Sequence, residues 1–432
     1  MNVHPKSQLP LLALTGILAT GCGGGSTSSV EGLYEGEHIT SLTFGEADIS
    51  EVIKSSPAGD RAILVASKSR RVTLLDLTGE GLEVISDAHL LADEESEAEL
   101  THIDFAPNEQ WAAVTMTLPA YENGAQVTCE GALLIISTAD DSFGSIIDTI
   151  AVGPMPDAVD ISPDGALIVT ANEVDFNDGK CEVEGVTPSV SIIDISSGPS
   201  EAQVLATIEM VSEEGENLRE PEQIWFDEAS DIVVATLQDT HEVLSFSASA
   251  VIESGEELIA SDHELVSIHS LPLRSDGAEP WPDGIVGYVD GDGAQRFAVA
   301  GEYNDTIHIL DELGAPIAQV EIDPAEMPGD LPRNLESWSL APYRPDSLAA
   351  FNYAGESFIT ASLKHSGAVG VWQVSDLDNL ILSDVIKVGE NDEGTPETES
   401  TIGAEGITAT PDGLILTANE GESSVSLVGP IE

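Results

Sequence analysis

Residues 155–175 read MPDAVDISPDGALIVTANEVD, and residues 403–428 read GAEGITATPDGLILTANEGESSVSLV. The two stretches write one phrase twice: an apolar run, a turn built on Pro-Asp-Gly, and a second apolar run that ends in Ala-Asn-Glu. A carboxylate stands at the same point before each first run, Asp157 in one and Glu405 in the other. Alternating apolar residues bounded by Pro, Asp and Gly are the pattern of two strands joined by a tight turn.

Aligned on that turn, the chain contains seven copies, whose first residues are Glu51, Thr101, Asp157, Glu222, Asp283, Asp346 and Glu405. Their spacings run from 50 to 65 residues. A third apolar run follows each copy (RVTLLDL, ALLIIST, SVSIIDIS, EVLSFSA, TIHILDE, VGVWQVS and SVSLVGP), and a more variable fourth follows most of them. No stretch shows the 3.6-residue periodicity of an amphipathic helix. Four-strand repeats of this length predict an all-β, seven-bladed β-propeller. The last copy ends at Glu432 without a fourth strand, while EHITSLTF at residues 37–44 stands upstream of the first copy. That segment is expected to complete the last blade, because closing the ring removes the exposed sheet edges.

Of 432 residues, 78 are Asp or Glu and only 14 are Lys or Arg, a net charge of −64. A surface of this sign repels nucleic acid and attracts divalent cations or basic partners. Solubility in a salty medium is the main account of the overall charge, since the chain has only six lysines, as a salt-adapted surface would. The N-terminal 21 residues carry one lysine-bearing polar segment and an apolar run ending in LATGC, too short to span a bilayer but suited to a secretory signal. Ala19, Thr20 and Gly21 before Cys22 resemble a bacterial lipobox, so Cys22 is expected to become a lipidated N-terminus that anchors the protein to a membrane. Residues 22–36, which begin CGGGSTSS, read as a flexible tether, and residues 37–432 as the propeller. Gly23, rather than Asp, after the lipidated cysteine favours the outer membrane by analogy with Gram-negative sorting.

Four segments carry a wider likeness: the 155–175 phrase with its SVSIIDIS, REPEQIWFDEASDIVVATLQDTHEVLSF, WPDGIVGYVDGDGAQRFAVAGEYND, and AEGITATPDGLILTANEGESSVSLV. With these, the chain resembles the choice-of-anchor I domain family, related to mesenchyme-specific cell surface glycoprotein and more distantly to YVTN-type propellers. The resemblance spans roughly residues 45 to 432 in the order of its phrases. It implies a seven-bladed extracellular propeller attached to cells by a variable device, here Cys22. It brings no established catalytic residues.

In a propeller the first strand of each blade lines the central channel. Six of the seven first positions are acidic (Glu51, Asp157, Glu222, Asp283, Asp346 and Glu405), and only Thr101 departs. The ends of the second strands add Glu173, Glu302 and Glu420 on the same face, with Lys68, Gln238 and Lys364 at matching places. His102 and His365 are expected at the same mouth. Calcium, which takes six to eight oxygen ligands in flexible geometry, is the cation these groups would suit. Capping of turns by accepting backbone N–H groups is the alternative role for the same carboxylates. The phrases DGDGAQ at Asp290 and DFNDGKCE at Asp175 resemble calcium loops but lack the closing glutamate of an EF-hand, and read as plain turns.

Cys129 and Cys181 fall between second and third strands of consecutive blades, so a disulfide joining blades two and three is expected in an oxidising compartment. No nucleophile elbow, phosphate loop or dinucleotide fingerprint is present. The reading is a monomeric, lipid-anchored binding protein that takes a protein, a glycan or a cationic ligand, with no nucleic acid partner. The alternative is a metal-dependent propeller hydrolase of lactonase or esterase type.

Overall fold

Each blade is apolar on both faces because each lies between two others. The second and third strands therefore read as near-continuous hydrophobic runs, such as RAILVA at Arg61–Ala66 and IVVATL at Ile232–Leu237, every residue of which after the first is buried. The outermost strands face water on their outer edge and alternate instead, as Glu83–His89 does. The computed structural model describes residues 33–45, 50–79, 81–91, 97–122, 125–174, 181, 183, 185–211, 219–255, 258–260, 264–335, 341–389 and 394–431. The expected signal segment, Cys22 and the phrase beginning at Asp175 lie outside the described residues.

Seven antiparallel sheets form the seven-bladed propeller. Their innermost strands, blades one to seven in chain order, are Ser50–Ser55, Glu99–Phe105, Pro156–Ile161, Pro221–Phe226, Pro282–Val289, Pro345–Tyr353 and Ala404–Ala409. There is no single core. Seven apolar clusters fill the seven interfaces between neighbouring blades, including one that joins Ile53, Leu64 and Leu75 of blade one to Leu416, Ala418 and Val425 of blade seven.

The ring closes as expected: Gly36–Thr43 pairs antiparallel with Ser424–Pro430 as the fourth strand of blade seven. The expected tether is corrected at its distal end. Tyr34 is wholly buried between blades six and seven, packed edge-on against Phe351 and Tyr353. Its hydroxyl donates to the Gly413 carbonyl at 3.0 Å, and its own carbonyl accepts from the Ser383 hydroxyl at 2.7 Å. Among the described residues one α-helix, Ala248–Ser254, is present where no helical period was read; it is short, and Ser247 caps it by accepting from the Ala250 N–H. The strand after it, Leu258–Ile259, leaves blade four and adds a parallel fifth strand to blade three.

The repeated phrase has a structural reason at both ends. In the turn, Gly165 and Gly413 take positive φ (70° and 89°) and donate back to Ser162 and Thr410, as the tight reversal requires. In the Ala-Asn-Glu, the side-chain amides of Asn172 and Asn419 each donate to two serines of the next strand: Ser189 and Ser191, and Ser424 and Ser426, at 2.9–3.1 Å. Thr170 and Thr417 complete the networks by donating to the asparagine oxygens. Fully satisfied buried polar networks of this kind fix the register of a blade.

The closing seam can be tested through Tyr34. Urea denaturation should place Tyr34→Ala about 3–5 kcal/mol below wild type, since it empties a large buried site. Tyr34→Phe, which loses only the hydrogen bond, should cost about 1 kcal/mol. Equal stabilities would show that blade seven closes without this residue.

Candidate functional site

All seven innermost strands carry a β-bulge at one register position. The pairing with the second strand slips by one residue at Glu51, within Thr101–His102, at Asp157, and within Glu222–Gln223, Asp283–Gly284, Asp346–Ser347 and Glu405–Gly406. A bulge re-aims the side chain it carries. The acidic register read from the sequence is therefore the bulge register. The ring is tight there: a Cβ on Gly284 would lie 2.5 Å from the Asp346 carbonyl, and one on Gly406 would lie 2.4 Å from the Glu51 carbonyl. The hydroxyl of Thr101, the non-acidic member, donates to the Pro156 carbonyl of the next blade at 2.5 Å and lies 2.9 Å from the Thr115 hydroxyl.

A second repeated device brings the second-strand ends to the same place. Met155, Trp281, Arg344 and Gly403 stand two residues before Asp157, Asp283, Asp346 and Glu405, and all four have positive φ (42°, 49°, 56° and 59°). Their carbonyls accept the backbone N–H of Glu173, Glu302, Lys364 and Glu420 at 2.9–3.1 Å. The left-handed corner is a strained state for the three non-glycine residues. Proline follows each of those three, and this X-Pro-Asp pattern was the visible signal for a corner that sequence reasoning missed.

Carboxylate oxygens of Asp157, Glu173 and Glu222 lie within 4.8 Å of one another, and so do those of Asp283, Glu302 and Asp346. The two triads share one field. Burial raises Asp283 well above the usual carboxylate range, and the charges of Asp346, Glu302, Glu222 and Asp157 raise it further. Glu302 is 2% exposed; burial and Asp346 push it up to about 7 against the pull of Arg344. Arg344 forks onto Glu302, its Nε at 2.7 Å, and lies over the Tyr303 ring, 5.2 Å from its centroid. Asp305 fixes that arginine by accepting the N–H of Tyr343 and Arg344.

The remaining predicted residues sit apart from the triads. Lys364 bridges Glu405 at 2.5 Å and Glu420 at 3.3 Å. Burial, then Asp346, still pushes Glu405 up to about 8. Glu51 accepts from the Ser67 hydroxyl, and burial raises its pKa. His102 lines the channel interior, beside a cavity of about 310 Å³ that also touches Lys54, Gln223 and Trp225. Burial and the Lys54 charge hold its imidazole down at about 3, hence neutral. His365 is placed at the second-strand end of blade six, where its Nδ1 is 3.2 Å from the Ala341 carbonyl and its Nε2 3.7 Å from Glu399.

A charged group at the far end of the channel was not anticipated. Lys54 pairs with Asp104 at 3.1 Å and lies 4.4 Å from the Trp225 ring centroid. Asp104 and Asp160 accept the N–H of Ile161 and Phe226, linking consecutive blades. Asp290 accepts from Asp292 and Ala294 and pairs with Arg296, so its phrase is a turn, as expected.

Cys129 and Cys181 are joined in a disulfide between blades two and three. Cys129 belongs to a strand rather than to a loop, because the hairpin of blade two extends far past its neighbours, over Trp111–Glu122 and Ala125–Ser137.

Residues 51–240 match the choice-of-anchor I domain. The expectation from the sequence phrases is met over that part of the chain. No curated protein matches the sequence. Solved structures of similar fold include a chain of the mitotic checkpoint complex, 10% identical, with a TM-score of 0.59 over 97% of this chain and 99% of that one. Streptogramin B lyase is 12% identical, with a TM-score of 0.54 over 94% and 100%. A catalytically inactive virginiamycin B lyase from Staphylococcus aureus with quinupristin is 14% identical, with a TM-score of 0.54 over 92% and 100%. At these identities the likeness shows the propeller fold.

The raised carboxylates fix a sign for pH dependence. Glu302 and Glu405 titrate higher in the folded protein than their ordinary 4.5, so the folded state holds extra protons between about pH 4.5 and 8. Their contribution to stability is present in full at low pH and is lost as pH rises through 7 to 8. The denaturation midpoint should fall between pH 5.5 and 8.5, and should fall less steeply in the Glu302→Gln, Glu405→Gln double variant. Parallel curves for the two proteins would contradict the assignment.

Proposed function

We propose that this protein is a lipid-anchored, non-catalytic propeller of the bacterial cell envelope that binds a divalent cation, calcium by preference, at the acidic mouth of its channel. The observation that carries the reading is the convergence of two carboxylate triads, each with its oxygens within 4.8 Å of one another, in which Asp157, Glu222, Asp283 and Asp346 stand on bulges and Glu173 and Glu302 at second-strand ends. Ligand oxygens 2.3–2.6 Å from a calcium ion stand at most about 5 Å apart, so each triad fits one ion. The charges that act most on buried Asp283 are those of other acids, Asp346, Glu302, Glu222 and Asp157. The lipobox at Cys22 supports the envelope location, as does a disulfide suited to an oxidising compartment. The bound ion then presents positive charge on a face otherwise hostile to anions, the means by which such a module engages a protein or glycan partner.

Calcium should raise the melting temperature, with a stabilisation of about 2.7 kcal/mol at a hundred times its Kd, and a chelator should reverse it. Asp157→Asn and Asp283→Asn each relieve like-charge repulsion. Each variant should therefore be more stable than wild type without calcium and less responsive to it. If neither calcium nor chelator moves the melting temperature, the reading fails. Chelator-sensitive hydrolysis of a lactone or ester panel by the calcium-loaded protein would replace the binding role with a metal-dependent hydrolase.

A further inference from the structure

The three strained corners at the mouth are held by different clamps. Arg344 is fixed by the Asp305 carboxylate, and Trp281 is packed edge-on between His241 and Tyr303 at 5.1 and 5.4 Å. Met155, the corner before Asp157, has neither clamp. It lies in a small apolar cluster with Val174, Cys129 and Cys181, all four buried, with Val183 and Val186 against them.

The connections from this cluster run directly to two members of one triad. The Cys129 carbonyl accepts the Met155 N–H at 3.2 Å, and the Met155 carbonyl accepts the Glu173 N–H at 3.1 Å. Met155 leads through Pro156 into Asp157, and Val174 follows Glu173. Val174 has φ 83°, a conformation that a β-branched side chain adopts only when its surroundings impose it. The blade-two strand that carries Cys129 is pressed on the same corner: a Cβ on Gly131 would lie 2.1 Å from the Gly153 carbonyl and 2.4 Å from Pro156.

We infer that the Cys129–Cys181 disulfide, with Met155 and Val174, is the positioning element for the Asp157–Glu173–Glu222 cation site, so that breaking it weakens that site while the Asp283–Glu302–Asp346 site is spared. The inference rests on the calcium reading for its ligand, but its geometry does not. Outer groups that orient metal ligands commonly change affinity by 10–100-fold, and the loss expected here is about tenfold.

The full chain is compared oxidised, as the Cys129→Ala, Cys181→Ala double variant, and after dithiothreitol. In the last, dithiothreitol gives up two electrons and two protons as it cyclises, and both cysteines return to thiols. Val174→Gly, which keeps the disulfide but removes the strained side chain, covers the case in which the double variant does not fold. Two readouts are taken. Amide hydrogen exchange at Met155 and Glu173 should accelerate at least about tenfold, while the equivalent amides of Glu302 and Glu420 keep their rates. Calcium titration should show one of two sites weakened about tenfold. Unchanged exchange at Met155 and Glu173 in a folded, disulfide-free protein overturns the inference, and so does calcium affinity unchanged within about twofold. If the oxidised protein takes no calcium at all, the cation reading falls, and the exchange rates alone decide whether the disulfide positions Asp157 and Glu173.

Discussion

A blade of this propeller has no solvent face to spare. Its inner three strands are buried on both sides, so an isolated blade would expose two apolar surfaces, and an open row of blades would expose one at each end. Only a closed ring satisfies all seven. The interface between blades one and seven is therefore the condition on which the other six depend, and it is made by the two extremes of the described chain: Gly36–Thr43 pairs with Ser424–Pro430 while Tyr34 seals the neighbouring seam. Closure joins segments far apart in sequence, contacts whose loop entropy is large. The Cys129–Cys181 link lies elsewhere, between blades two and three, and leaves the closing seam to noncovalent pairing alone.

Ring closure also creates the electrostatic problem at the mouth. Once seven bulges face one axis, the carboxylates they carry cannot separate. Arg344 and Lys364 relieve part of the charge, and both stand on blade six, beside Glu302, Glu405 and Glu420. The lysine at the far end of the channel, Lys54, is held by Asp104 and the Trp225 face. Cations are few in this chain, and Arg344, Lys364 and Lys54 each pair with a carboxylate. Asp283 is raised well above the usual carboxylate range by burial and then by the charges of Asp346, Glu302, Glu222 and Asp157, and that repulsion is the ground for the proposed cation site.

The sequence disclosed what repeats and concealed what bends. Blade number, strand order, the closing strand and the disulfide pair were legible because apolar period and turn chemistry recur at a fixed spacing. The acidic register was visible for the same reason, but its cause was not: a β-bulge is a change of pairing and leaves no mark in the residues it displaces. The left-handed corners at Met155, Trp281 and Arg344 were signalled only by a following proline. His102 was assigned to the mouth because it neighbours Thr101, yet within a bulge one residue separates the rim from the channel interior. Tyr34 was hidden in a segment whose composition reads as linker, since one buried ring is no pattern.

The overall charge of −64 and the charge at the mouth act by different physics. Surface carboxylates are hydrated, and salt screens them from one another beyond about 8–10 Å. Monovalent ions suffice to moderate them, and their excess raises the cation concentration near the whole molecule without ordering any ion. The mouth carboxylates have lost much of their water, so their repulsion is weakly screened and can be relieved only by a proton, a built-in cation or an ion that touches several oxygens at once. A divalent ion bound as proposed would compete with protons for the same oxygens. Charge on the hydrated surface gathers counterions without ordering them, whereas charge at the mouth acts between particular carboxylates.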